Sequence, residues 1–328
     1  MTLRIPAFAF RFVYTLMTGM APDKAAPYGT TPKALQFSGS EGNTASAAAL
    51  NSRPIPERIW TYWNAEIPDT MVRQCIDNWR AQCPGFEVLV LNGRNLADHV
   101  PAHDLPPAFS DLHPTKQSDW VRLYVVRHYG GYWLDATILL TGSLQWMDDA
   151  KQASQAEFTG FYLEGYTRDT AFPVIESWAF CAPAHSPFVT AWQEEFNRAL
   201  IEKGTEAYLA EIRASEDGKA LLQGIPDPAY LLIHVTAQKV LRNANAFQLA
   251  LFKAEDTAFF YQKALHWKWY LLYPRLCLVP ADARLAPLVK LRGGERRHFS
   301  QLFQEHGGPA PGSLWGRACS AFRPRQSI

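Results

Sequence analysis

A chain of 328 residues with 48% hydrophobic and 19% charged side chains has ordinary globular composition, is long enough to bury a sizeable core and shows no sign of wholesale disorder. Its formal net charge of +1 excludes a general nucleic-acid binder, whose affinity rests on many unpaired Lys and Arg on phosphates, so any anion site must be local. The five cysteines Cys75, Cys83, Cys181, Cys277 and Cys319 are odd in number and scattered without C-x-x-C pairing, which speaks against a disulfide framework or zinc site and fits a reducing cytoplasm.

The apolar stretch from Ile5 to Met20 is interrupted by Pro6 and Arg11 and is too short to span a bilayer. As a signal peptide it would carry Arg11 inside its apolar region. It reads instead as a helix with Phe8, Phe12 and Leu16 on one side, docking on the protein body or, peripherally, on the inner face of a membrane. Residues 21–53, rich in Ala, Ser, Gly, Thr and Pro without hydrophobic periodicity, read as a flexible linker. Residues 1–53 are therefore an appendage, and 54–328 one catalytic domain.

Ile55 to Trp63 reads as a buried first strand, and Val72, Cys75, Ile76 and Trp79 have the spacing of an amphipathic helix. Phe86 to Leu91 gives a second strand ended by Asn92-Gly93, and Thr115 to His128 a long helix stopped by Gly130-Gly131. A further strand follows over Tyr132 to Leu140. This alternation predicts an α/β sheet with ligands at the strand carboxyl ends. Strand signals return at Phe158 to Leu163 and Glu176 to Cys181. Phe188, Val189, Trp192, Phe196 and Leu200 then mark an amphipathic helix, and the chain from about residue 185 reads as a mostly helical lobe, with helices around Tyr208, Tyr230 to Leu241 and Leu265 to Leu272 covering one side of the sheet.

No phosphate loop with Gly-Lys-Ser/Thr, no H-E-x-x-H, no G-x-S-x-G and no G-x-G-x-x-G is present, which removes the commonest ATPases, zinc proteases, α/β-hydrolases and dehydrogenases. His99 and His103 are spaced for a helical metal pair, but Pro101 lies between them. The informative stretch is Ser118-Asp119-Trp120-Val121-Arg122-Leu123 followed by Tyr129-Gly130-Gly131-Tyr132-Trp133-Leu134-Asp135-Ala136-Thr137. On a helix Asp119 and Arg122 share a face. The glycines allow a sharp turn into a strand, whose period of two sets Trp133, Asp135 and Thr137 on one side. Two carboxylates and a guanidinium thus converge, although these residues alone fit a surface ion pair and a strand-terminal Asp equally well.

Together with Ile-Pro-x-x-Ile-Trp at Ile55, these motifs resemble the capsular polysaccharide synthesis proteins, within the wider superfamily of DXD-containing sugar transferases that includes yeast mannosyltransferases and large glucosylating toxins. The resemblance runs from about Ile55 to Cys181 and, weakly, through Tyr230 to His234 and Lys290-Leu291. It implies a GT-A-like, Rossmann-type mixed sheet flanked by helices. It also implies a cytoplasmic hexosyltransferase that moves sugar, generally with retention, from a nucleotide-sugar donor to an oligosaccharide or lipid-linked acceptor. By the same resemblance Trp63 stacks on the donor base, Asp119 and Arg122 hold the donor sugar and the glycosidic region, and Asp135 is the first DXD acid, touching the ribose and the shell of a Mn²⁺ or Mg²⁺ ion.

Thr137 stands where the wider superfamily has a second acid, and a neutral hydroxyl is a weak ligand for a hard cation. The metal is then held mainly by the diphosphate. Glu176 and Trp178, on a strand, would face the acceptor. His234 reads as a core histidine. The basic run Lys290, Arg292, Arg296, Arg297 either closes over a diphosphate or is a solvated face. Two other readings remain open at this level: a glycoside hydrolase, which also needs paired carboxylates, and a non-catalytic scaffold of polysaccharide assembly.

Overall fold

The computed structural model describes residues 5–19, 33–37, 53–243, 247–282 and 285–320. In chain order these form α1 (Ala7–Gly19), β1 (Lys33–Phe37), β2 (Arg58–Tyr62), α2 (Thr70–Gln82), β3 (Glu87–Leu91), α3 (Pro114–Tyr129), β4 (Gly131–Leu134), β5 (Ile138–Leu140), α4 (Gln145–Ala153), β6 (Phe158–Leu163) and β7 (Val174–Ala182). There follow α5 (Pro187–Asn197), α6 (Thr205–Ala214), α7 (Gly218–Leu222), α8 (Leu232–Arg242), β8 (Phe247–Lys253), α9 (Phe260–Ala264), α10 (Trp269–Cys277), β9 (Leu288–Lys290), α11 (Gly293–His306) and α12 (Leu314–Ser320).

Seven strands make one mixed sheet in the order β1-β8-β6-β7-β4-β2-β3, and β5 pairs with β9 in a second, two-stranded sheet. β2 runs parallel to β3 and β4, whereas β7 is antiparallel to both β4 and β6. Strand alternation divides the core into two layers. Trp60, Trp133, Phe158 and Phe180 face α3, α5 and α8, while Ile59, Tyr132, Leu134 and Phe161 join the layer of α2, α10 and α11. Helices thus flank the sheet on both faces, as an α/β architecture requires.

Local chemistry sets the junction that matters most. The His113 side chain accepts from Thr115 N and Pro114 opens α3, a position where proline's missing N–H costs nothing. At its far end Gly130 and Gly131 have φ of 67° and 106°. A Cβ on Gly130 would stand 2.6 Å from Ala184 N, and one on Gly131 2.6 Å from Arg58 O. Only glycine allows both the left-handed turn and the close approach of neighbouring strands.

Four expectations need revision. The strand read over Tyr132 to Leu140 is two strands, because the chain turns at Asp135–Thr137 and leaves the main sheet for β9. The segment after residue 185 is mostly helical, but its helices lie on both faces of the sheet rather than one, and the largely apolar run Phe247–Lys253 enters the main sheet between β1 and β6. Residues 33–37, read as linker, form β1 against β8, whereas 20–32 and 38–52 lie outside the described residues. On α1 the helix is present but its docking face differs. Ala7, Phe10 and Tyr14 pack on the body, Phe10 against Trp269 and Tyr273, while Phe8, Phe12 and Leu16 face outward at 73%, 67% and 53% exposure. No helix among the described residues is long and apolar enough to cross a membrane.

Candidate functional site

A cavity of about 830 Å³ opens at the carboxyl ends of β2 and β4, where this class of sheet binds ligands. Trp63 borders it just past β2, Asp135 and Thr137 just past β4, Ser118, Asp119 and Arg122 on the first half of α3, and Glu176, Ser177 and Trp178 on β7. Trp63, Asp119, Arg122, Asp135, Thr137, Glu176 and Trp178 therefore all line one cavity.

Its centre is an ion-pair network. Arg122, only 6% exposed, reaches Asp119 Oδ1 at 3.1 Å and Asp135 Oδ1 at 3.2 Å, and it donates to Ser177 Oγ and to Ser118 O at 3.3 Å. The Trp133 indole lies under this guanidinium, 5.2 Å from ring centroid to Cζ, and its N–H donates to Asp135 Oδ1 at 3.1 Å. From β9, Lys290 Nζ donates to Asp135 Oδ2 at 2.9 Å and to Thr137 Oγ1 at 2.8 Å. The Thr137 hydroxyl in turn donates to Leu291 O at 3.0 Å.

The two carboxylates differ electrostatically. Burial would raise Asp135, but Lys290 and Arg122 outweigh it and hold the carboxyl below its ordinary value. At Asp119 burial wins over Arg122 and Lys116, and the carboxyl is raised. Asp135 is thus held in its ionised form by two cations, and Asp119 by Arg122 and Lys116 against its burial.

This donor set does not fit a hard divalent cation, which needs several anionic oxygens. Both oxygens of Asp135 already accept from cations, the neighbouring position is a hydroxyl, and no cluster of three His, Cys, Asp or Glu suited to a metal occurs among the described residues.

Several functional candidates escaped the sequence reading or were given less weight there. His234 is not merely a core residue: its Nε2 meets Glu176 Oε2 at 2.9 Å at the cavity wall, and its Nδ1 is buried without a partner. Lys290, Arg292 and Arg296 line the cavity, whereas Arg297 is exposed outside it. The signal for Lys290 was a lone charge between Val289 and Leu291 in an apolar strand. Trp267, 39% exposed at the cavity edge with the Arg292 guanidinium 4.7 Å over its ring, is held by left-handed φ values at His266 and Trp267 of 52° and 61°. No local sequence rule would have found it.

The family model described as capsular polysaccharide synthesis protein matches residues 37–203, half of the chain. The chain belongs to this family. Its matched part contains Trp63, Asp119, Arg122, Asp135, Thr137, Glu176 and Trp178, while His234, Trp267 and Lys290 lie beyond it. No curated protein matches the chain. Among solved structures the chain is similar to one described as PaToxG glycosyltransferase, at 10% identity and a TM-score of 0.35, covering 91% of this chain and 95% of that one. A second is the glycosyltransferase GlyE of Streptococcus pneumoniae TIGR4, at 9% identity and a TM-score of 0.38, covering 84% of this chain and 66% of that one. At this level of likeness neither bears on the site.

Proposed function

We propose that this member of the capsular polysaccharide synthesis family is a GT-A-like hexosyltransferase, moving a sugar from a nucleotide-sugar donor to an oligosaccharide or lipid-linked glycan with retention, on the cytoplasmic side of the membrane. The observation that carries the reading is the Asp119–Arg122–Asp135 network at the carboxyl ends of parallel strands, open to a cavity large enough for a nucleotide sugar. Trp63, packed at the cavity wall with the Arg296 guanidinium 5.2 Å from its ring, is the surface for the base. Asp119 and Asp135 orient the donor by accepting from its hydroxyls, and Arg122 meets charge that develops at the glycosidic oxygen.

Glu176 and Trp178 stand on the acceptor side. Trp178 is 5% exposed and packs against Phe161 and Phe259, so it shapes the wall more than it offers an open stacking face. The Glu176–His234 pair is the polar contact available there. The outward apolar face of α1, whose thirteen residues contain no acid and one base, Arg11, suits shallow insertion at an anionic lipid surface, where a lipid-linked acceptor would be met.

The test is thermal stabilisation by a panel of nucleotide sugars, since a ligand of the folded state raises the melting temperature. One donor should shift the transition by several degrees, and Asp135→Asn should abolish transfer from that donor. A panel without any shift, together with hydrolysis of finished glycans in the absence of nucleotide, would replace a transferase with a glycosidase.

A further inference from the structure

On β9, Lys290 reaches across to the end of β4 and places its ammonium between Asp135 and Thr137, the two positions a dication would need to use. A lysine has three N–H donors. Two are committed to these oxygens, and the residue lines the cavity, so the third is left for a ligand oxygen. A dication seated at Asp135 would instead have to share that carboxylate with an ammonium and a guanidinium already bonded to it. β9 then leads straight into α11, whose first residue Gly293 borders the cavity with open space where a side chain would stand. Arg296, one turn further on, also lines the cavity, where its guanidinium lies 5.2 Å from the Trp63 ring and 3.6 Å from Asp69. Positive charge on this wall is therefore contributed by the protein itself.

We propose that Lys290 is the resident counter-charge for the donor's diphosphate, assisted by Arg296 and the amino end of α11, so that the donor binds and its leaving group departs without a divalent metal. This rests on the nucleotide-sugar reading above. In the transfer an acceptor hydroxyl oxygen bonds to the sugar's anomeric carbon as the bond from that carbon to the β-phosphate oxygen breaks. The electron pair of the broken bond stays on the diphosphate, so negative charge develops on the departing oxygen as the bond breaks, until the hydroxyl proton reaches that oxygen and neutralises it. Lys290 meets the charge while it develops. A fixed ammonium in a partly dry cavity stabilises it more than a solvated one would.

The experiment is calorimetry on the full chain with UDP, GDP, CDP, ADP, dTDP and inorganic pyrophosphate, each in EDTA and each with Mn²⁺ or Mg²⁺. The nucleotide that binds should do so in EDTA within about twofold of its affinity with metal. Lys290→Met should weaken it by about tenfold to a hundredfold, the worth of a charge-assisted hydrogen bond, and Lys290→Arg should retain most of the affinity. Lys290→Ala combined with Thr137→Asp, which replaces the ammonium by a second acid, should make binding depend on Mn²⁺. Melting curves confirm that each variant is folded. Binding that requires metal in the parent, or that Lys290→Met leaves unchanged in EDTA, would overturn the role of Lys290 while keeping the donor site. If nothing binds with or without metal, the donor-site reading falls and this proposal falls with it.

Discussion

The pairing of Asp135 with Lys290 has an energetic consequence that needs no substrate to measure. The side chains are 24% and 11% exposed and meet at 2.9 Å. Such a pair belongs between exposed pairs, worth about 0.2 to 1 kcal/mol, and buried pairs, where loss of one partner costs about 3 to 5 kcal/mol. Asp135→Asn removes the anion shared by two cations, of which Arg122 keeps Asp119 and Lys290 keeps only Thr137. Lys290→Met leaves Asp135 with Arg122. Each single change should therefore cost about 1 to 3 kcal/mol, and the double variant should fall short of the sum by about 1 to 2 kcal/mol, because removing both charges leaves neither stranded. Urea unfolding followed by tryptophan fluorescence gives all four corners of the cycle, provided the slopes agree. Additivity within about 0.5 kcal/mol would refute the pairing.

Three further outcomes are expected. Trp63→Ala should weaken donor binding by roughly twofold to tenfold, the worth of a stacking contact, with a smaller effect on kcat; an unchanged donor KM in a folded variant would make Trp63 core only. Glu157, buried at the start of α5 where it accepts from Ser186 Oγ and Phe188 N, is pushed up by burial to about 8. The fold thus favours its protonated form and loses stability as pH rises from the ordinary carboxylate range to about 8, so Glu157→Gln should gain melting temperature over the parent progressively between about pH 5 and 8, and a pH-independent difference would contradict this. Phe8→Glu with Phe12→Glu should reduce co-sedimentation with anionic vesicles without lowering the melting temperature, since both side chains are exposed; equal binding would leave α1 a purely structural helix.

The sequence was most legible where one physical rule acted alone. Asp119 and Arg122 fall on one face of α3 because helical spacing puts them there, and Gly130-Gly131 ends the helix because no other residue tolerates that backbone. Rules failed where tertiary partners decided. Trp133, Asp135 and Thr137 were grouped by a strand period, yet the strand stops at Leu134, and the grouping survives because Lys290 and Arg122 gather the oxygens from outside. On α1, the period selected Phe8, Phe12 and Leu16 as one stripe, but Phe10 and Tyr14 form another at the same spacing, and only the rings of Trp269 and Tyr273 determine which one packs. β8 was missed because a short run with five apolar residues among seven carries no mark that distinguishes strand from buried helix.

The site owes its form to the point where the chain leaves one sheet for another. β4 ends at Leu134 and β5 begins at Ile138, so Asp135, Ala136 and Thr137 form the turn between two sheets. In the second sheet Ile138 stands opposite Lys290, and the register is pinned on both sides: Leu291 N donates to Thr137 O at 3.2 Å and Thr137 Oγ1 donates to Leu291 O at 3.0 Å. A slip of one residue would carry Lys290 to the opposite face, into the layer that holds Val289 and Leu291, at the cost of burying an ammonium without a partner. The Thr137 hydroxyl that accepts from Lys290 therefore also fixes the strand that delivers the cation. Substituting Thr137 should disturb both the register and the charge at Asp135, so the paired exchange with Lys290 is read against Thr137→Asp alone, which loses the same hydroxyl but keeps the ammonium.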